Sequence, residues 1–179
     1  MMTRLNVTLL LLLLSGALMA QKYKSDQSTV TFFSDAAIED IAATNETASS
    51  IFDSSNGDIV FLITISDFQF DKSLMQEHFN EKYMESDKYP RATFKGKVLG
   101  YDKSKVGVQQ VSAKGTLTIH GQSKEINVEG TLEKQGSLLL LKSTFVVALE
   151  DYKIKIPQLL WQNIAEQVEV KVDFTYKSI

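Results

Sequence analysis

Apolar and polar residues alternate along most of the chain after residue 25. The clearest run is QVEVKVDFTYK (167–177), in which Val168, Val170, Val172, Phe174 and Tyr176 alternate with polar residues. Because successive side chains of a strand point to opposite faces, a period of two predicts half-buried β-strands. Alternating or strongly apolar runs predict further strands at residues 28–34, 58–66, 92–101, 109–119, 125–134 and 138–150. Residues 38–44 and 48–53 are two more strand candidates, which lack a clean apolar face.

Two segments depart from this pattern. In DKSLMQEHFNEKYM (71–84), Met75, Phe79 and Tyr83 recur every fourth residue, which predicts an amphipathic helix. PQLLWQNIAEQ (157–167) begins with a proline, a residue suited to a first helical turn, and predicts a second short helix. Many strands with polar outer faces and only two helices predict an all-β fold. We expect an antiparallel barrel or sandwich with the helices near its openings.

AKGTLTIHGQSKEINVEG (113–130) reads as two strands joined near a His-Gly pair. The apolar face is odd-numbered before the turn and even-numbered after it. Residues directly opposite each other in an antiparallel pair share a face, so the connecting loop has an even number of residues. We predict a loop at residues 122–123 or 121–124, and either choice puts Ile119 opposite Ile126.

The same register places Gly115 opposite Gly130 on the apolar face. Paired glycines mark either a bend in a barrel wall or room for a bulky ligand chain, and both interpretations stay open. His120 falls on the polar face, across from Glu125, with no nucleophile nearby that it could activate. We interpret His120 as a residue that flanks the turn, not as a catalytic base.

Composition and charge exclude several classes of function. The chain has 179 residues, with 22 acidic and 19 basic side chains, and the net charge of −3 excludes the basic surface typical of nucleic-acid-binding proteins. It has no cysteine, and its two histidines lie in different predicted elements, so no zinc-binding spacing exists. No nucleotide-binding loop or nucleophile elbow occurs either. We therefore expect no enzyme activity, no metal and no cofactor.

The first 20 residues have the pattern of an export signal. Arg4 precedes an apolar run at 9–14, and small residues lead to Ala20, after which we place the cleavage. The polar residues that follow stop the run short of the ~20 apolar residues that a membrane span needs. We expect residues 1–20 to be removed and residues 21–179 to form one domain in the periplasm or outside the cell, without stable membrane insertion.

Three segments resemble the YceI-like family of exported bacterial proteins. They are HFNEKYMESDKYPRATFKGKV (78–98), AKGTLTIHGQSKEINVEG (113–130) and DYKIKIP…IAEQVEVKVDFTY (151–176). The most specific parts are Asp-x-Tyr-Pro-x-x-Thr-Phe at 87–94 and Leu-Thr-Ile-His-Gly at 117–121. The resemblance implies a lipocalin-like antiparallel barrel of about eight strands. It also implies that the barrel holds a polyisoprenoid or another lipid chain and catalyses no reaction.

If the barrel is hollow, as the resemblance implies, its inward-facing side chains line a ligand cavity. The expected lining is Phe61, Ile63, Ile65, Phe94, Val98, Val111, Ala113, Gly115, Leu117, Val128, Gly130, Leu132, Phe145, Val147, Val170, Val172 and Phe174. The predicted helix and the loop after it are expected to form the entrance, through Met75, His78, Phe79, Tyr83 and Tyr89. The expected partner is an apolar small molecule and not nucleic acid, and a homodimer is left open.

A second hypothesis is a non-enzymatic adhesion or complex-forming module whose barrel is filled by its own side chains. Such a module would present an exposed apolar patch, for which Leu159, Leu160 and Trp161 are candidates. A hydrolase or isomerase would need His78 or His120 beside an acid or a nucleophile in a cleft. The state of the barrel interior distinguishes the first two hypotheses.

Overall fold

The computed structural model describes residues 22–35, 40–155 and 165–179, which form ten β-strands and a short α-helix. The helix α1 is Ser73–His78, and a π-helical turn, Phe79–Tyr83, continues it. Turns of 3₁₀ helix lie at Ile65–Asp67 and Leu149–Tyr152. The strands are Lys22–Ser34 (β1), Ile41–Asn45 (β2), Ser49–Asp53 (β3), Asp58–Thr64 (β4), Gln69–Phe70 (β5), Arg91–Leu99 (β6), Gly107–Ile119 (β7), Gln122–Gln135 (β8), Leu138–Ala148 (β9) and Gln167–Ser178 (β10).

Eight of the strands close into an antiparallel barrel. The order around the barrel is β1-β3-β4-β6-β7-β8-β9-β10, and β10 pairs with β1 to complete the ring. Strands β2 and β5 extend the sheet beyond β1. The predicted all-β antiparallel barrel of about eight strands is confirmed. Within the described residues, every helix falls short of the length and apolarity that a membrane span requires.

The predicted elements agree with the observed strands except at a few places. β1 begins at Lys22, six residues before the predicted start at residue 28, and the short β5 was not predicted. The helix predicted at 71–84 is present as α1 and the π-helical turn. Most of the helix predicted at 157–167 lies outside the described residues, and Gln167 already begins β10.

The predicted register of the hairpin between β7 and β8 is wrong. The turn consists of His120 and Gly121, so that Ile119 pairs with Gln122 and not with Ile126. The loop has an even number of residues, as predicted, but it lies one or two residues earlier in the chain. The φ angles of His120 and Gly121 are 51° and 70°, and two successive positive φ angles are what a two-residue turn between twisted strands requires. The odd and even numbering of the apolar residues does not determine which two residues form the turn.

The new register also separates the two glycines that we expected to be paired. Gly115 lies opposite Ile126 on β8 and opposite Gly96 on β6. A Cβ atom on Gly115 would clash with the backbone carbonyl oxygen of Lys95, and the ring of Phe94 lies 2.7 Å from where a Cβ of Gly96 would stand. Gly115 therefore permits a close approach of β6 and β7. The packing at Gly115 leaves no room for a ligand, whereas Gly130 lines the cavity.

The interior of the barrel is packed at one end only. The turn at His120–Gly121 and helix α1 lie at what we call the helix end, and the turn between β8 and β9 lies at the opposite, closed end. Near the closed end a set of large side chains, which we call the floor, has no solvent exposure: Phe52, Leu132, Leu139, Phe174 and Tyr176. Large inward-facing residues of this kind can fill a small barrel completely.

Ser50 and Tyr176 form a buried polar contact in this packed half. The phenol of Tyr176 donates a hydrogen bond of 2.7 Å to the hydroxyl oxygen of Ser50. Burial raises the pKa of Tyr176 because the phenolate would lose its hydration there. A buried hydroxyl with its partner in place costs little free energy, so the contact between Tyr176 and the adjacent Ser50 does not destabilise the floor.

Candidate functional site

A cavity of about 230 Å³ lies between the floor and the helix end. Its walls are the inward faces of the barrel strands, and its polar residues, Ser34, Glu129, Thr131, Lys142 and Ser143, are a minority of the lining. The expected residues that line it are Phe61, Ile63, Ile65, Phe94, Val98, Val111, Ala113, Leu117, Val128, Gly130, Phe145, Val147, Val170 and Val172. The barrel is thus hollow in one half, which disfavours the hypothesis of a filled core.

Three residues of the expected lining lie elsewhere. Leu132 and Phe174 belong to the floor, where both are fully buried among other side chains. Gly115 packs against the backbone of β6 and is absent from the cavity wall. The alternation correctly predicts that Leu132 and Phe174 point inward, but it cannot predict how far along the barrel axis each side chain lies.

The cavity also has lining residues that the sequence reasoning missed. Val30, Phe32, Ile119, Ile126 and Val168 follow the same alternation as the expected residues, so the pattern could have identified them. Phe68 and Phe70 lie between the 3₁₀ turn at Ile65–Asp67 and α1, in a segment for which no strand was predicted. The missed residues that line the cavity include Val30, Phe32, Ile41, Ile59, Phe68, Phe70, Met84, Ala92, Ile119, Ile126, Leu141, Leu149, Ile154 and Val168.

Aromatic side chains cover part of the helix end. The rings of Phe32, Phe68, Phe70 and Phe79 form one cluster, with centroids of contacting rings 5.0–5.7 Å apart. Edge-to-face contacts at this spacing are favourable beyond the area that they bury. We call these four residues the aromatic cap. Because all four rings also line the cavity, the cap forms its roof.

The five predicted entrance residues fall into two groups. Met75, Phe79 and Tyr83 line the cavity, and burial raises the pKa of Tyr83. His78 and Tyr89 are not part of the wall. Tyr89 instead packs edge-on against His120, with ring centroids 4.5 Å apart. Three of the five expected entrance residues therefore line the cavity, and the other two lie outside its wall.

His120 connects three loops at the helix end. Its side chain is buried, its Nε2 lies 2.9 Å from a carboxylate oxygen of Glu85, and its Nδ1 donates a 3.1 Å hydrogen bond to the backbone carbonyl of Tyr152. The carboxylate and the carbonyl are both hydrogen-bond acceptors, so each contact needs a hydrogen on the ring nitrogen that faces it. The predicted position opposite Glu125 is wrong, because Glu125 bonds Thr116 instead. His120 is a structural clamp within the turn.

The chemistry of the site is that of apolar binding. Among residues 22–35, 40–155 and 165–179, no group of three His, Asp or Glu side chains is placed to hold a metal ion. The Lys142 ammonium bonds the carboxylate of Asp173 at 2.8 Å, which raises the pKa of Lys142. What the cavity offers is a wall of aliphatic and aromatic side chains, which can take up a molecule by removing its apolar surface from water.

Comparisons with known proteins agree with this architecture. The sequence model of the YceI-like domain family matches residues 22–176. A polyisoprenoid binding domain from Saccharophagus degradans, implicated in plant cell wall breakdown, is similar in structure with a TM-score of 0.75 and 17% identity, over 90% of this chain and 99% of that chain. BcnA of Burkholderia cenocepacia gives 0.70 and 17%, over 83% and 95% of the two chains. A YCEI protein of Campylobacter jejuni gives 0.60 and 16%, over 74% and 81%. No curated protein sequence matches the chain.

Proposed function

The chain belongs to the YceI-like domain family, and from that premise we propose that it binds a long apolar molecule, a polyisoprenoid or another lipid chain, in the hollow half of the barrel and catalyses no reaction. The observation that carries this proposal is the apolar cavity of about 230 Å³ between the floor and the aromatic cap. A domain of the same fold from Saccharophagus degradans is described as polyisoprenoid binding. This likeness supports the choice of ligand class.

Simple energetics indicate that the ligand has a long chain. Each buried methylene group contributes about 0.8 kcal/mol, so ten of them contribute roughly 8 kcal/mol. Association removes at least about 4 kcal/mol of this through lost translational and rotational freedom. What remains corresponds to roughly millimolar binding. A micromolar ligand therefore needs more than about ten buried carbons, as in a polyisoprenoid or a long fatty chain.

The proposal also includes the cellular location of the protein. Residues 1–20 have the pattern of a cleaved export signal, so we infer that the domain works in the periplasm or outside the cell. A water-filled compartment is where an apolar chain needs an enclosing carrier, because free hydrocarbon surface is unfavourable in water. Transport, storage and sequestration of the lipid would each use this one binding event.

Co-purification tests the proposal directly. We expect native mass spectrometry of the purified protein to show a non-covalent adduct, and solvent extraction to release an apolar lipid of the same mass. Delipidated protein should then bind the fluorescent fatty acid cis-parinaric acid, and geranylgeraniol should displace it, whereas glycerol at the same concentration should not. Protein that carries no lipid and takes up neither apolar probe would contradict the proposed function.

A further inference from the structure

Strands β8 and β9 are paired over only part of their length. Their ladder runs from Gly130 opposite Ser143 to Gln135 opposite Leu138, near the closed end. Toward the helix end, residues 122–129 of β8 remain paired with β7, and residues 144–148 of β9 remain paired with β10, but the two segments are not paired with each other. The two strands therefore diverge, and we call the opening between these segments the slit.

The slit lies in the hollow half of the barrel. Ile126 and Val128 on its β8 edge line the cavity, and so do Phe145 and Val147 on its β9 edge. The ladder between β8 and β9 begins at the lower part of the cavity, at Gly130 and Ser143, and continues beside the floor, where the interior is filled. A chain that passes between the two edges would thus reach the cavity without crossing the floor or the aromatic cap.

Side-chain bonds border the slit at both ends. At the narrow end, the hydroxyl of Ser143 donates a hydrogen bond to the backbone carbonyl of Glu129. At the wide end, the ammonium of Lys124 bonds the carboxylate of Asp151 at 3.0 Å, and both side chains are about half exposed. Exposed ion pairs are weak and exchange readily with water. The wide end can therefore open without the loss of a backbone ladder, while the hydrogen bond from His120 to the Tyr152 carbonyl holds the turn beyond it in place.

The size of the cavity supports a role for the slit. Pockets that enclose a drug-sized molecule have roughly 300–1,000 Å³, and the cavity has about 230 Å³, so a long chain does not fit inside it completely. The floor closes one end of the cavity and the aromatic cap covers part of the other. The slit is a passage in the described wall, and the inward residues on both of its edges are apolar.

We propose that the apolar ligand enters through the slit and, when bound, lies across it with its polar end outside the barrel, between β8 and β9. This inference rests on the proposed function. Strand edges that are not paired with each other present backbone N–H and C=O groups, which suit a hydroxyl or carboxyl group that both donates and accepts hydrogen bonds. The ligand class is a single-chain amphiphile with such a group at its end.

Cross-linking across the slit tests this passage. Because the chain has no cysteine, Asn127→Cys together with Val146→Cys creates one thiol on each exposed edge, and a short bismaleimide joins them. Cross-linking of the empty protein should slow the association of cis-parinaric acid by about tenfold or more, and cross-linking after loading should slow its transfer to phosphatidylcholine vesicles by a similar factor. The matched control is Lys97→Cys with Lys114→Cys, an exposed and fully laddered pair on β6 and β7; its cross-link should change both rates by less than about twofold.

A single cysteine locates the polar end of the ligand. Bound cis-parinaric acid should slow the reaction of Val146→Cys with a maleimide severalfold, and it should leave the reaction of Lys114→Cys unchanged. If the variants bind the probe but neither the cross-link nor the protection depends on the slit, the passage is refuted while the proposed function stands. If the uncross-linked protein binds no probe, both proposals fail.

Discussion

Ala113→Phe is the sharpest test of where the ligand lies. Ala113 is on β7, opposite Val98 and Val128, and all three residues line the cavity. A phenyl ring at this position points into the hollow half and occupies space that the ligand would use. The exposed Ala42 on β2 accepts the same substitution on the outside of the sheet, so Ala42→Phe is the matched control.

The expected effect is large for binding and small for folding. A buried phenylalanine covers at least about 150 Å², and at about 25 cal/mol per Å² the ligand loses roughly 4 kcal/mol of apolar contact. This corresponds to an affinity about a thousandfold lower. Overpacking of a dense core costs about 1–3 kcal/mol, but Ala113 borders empty space, so we expect the free energy of unfolding to change by less than that.

Titration with cis-parinaric acid and urea denaturation measure the two quantities on the same samples. Ala113→Phe should lose probe binding and keep its urea midpoint close to that of the parent protein, and Ala42→Phe should keep both. If Ala113→Phe binds the probe as tightly as the parent protein, the chain does not occupy the hollow half. An unfolded variant would be replaced by Ala113→Leu, with the same expected direction and a smaller loss.

Three further substitutions test the framework around the cavity. Gly115→Ala should lower the free energy of unfolding by about 3 kcal/mol in urea, because its Cβ clashes with β6, whereas Lys114→Ala on the outer face should stay within about 0.5 kcal/mol; equal values would contradict the close approach. His120→Ala should cost about 1–3 kcal/mol through the partners it leaves unbonded, and His78→Ala on α1 much less; a neutral His120→Ala would rule out the clamp. Burial raises the pKa of Tyr176 above the value of about 10 in the unfolded chain. The unfolded state therefore ionises first, and stability falls as pH rises above about 10, by up to ~1.4 kcal/mol per pH unit. Tyr176→Phe should have a shallower slope between pH 10 and pH 11, and identical slopes would contradict this reasoning.

The alternation of apolar residues predicts most of the strands and, within them, the face that each side chain occupies. It predicts the inward direction of Val170 and Val172, because a period of two is a local property of an extended backbone. It does not predict the turn between β7 and β8, since any even loop preserves the faces. The turn depends on two residues that adopt positive φ, and His120 does so while its ring bonds Glu85 and the backbone of a distant loop. Such contacts are long-range and leave no period in the sequence.

The hollow half depends on the relative course of two strands. Val128, Gly130 and Leu132 are successive inward positions of β8, and nothing in their spacing distinguishes them. Leu132 lies where β8 and β9 are paired, and there the side chains of opposite walls meet and fill the interior. Val128 lies where the two strands are no longer paired, and there an empty volume remains. The slit and the cavity therefore lie at the same level of the barrel.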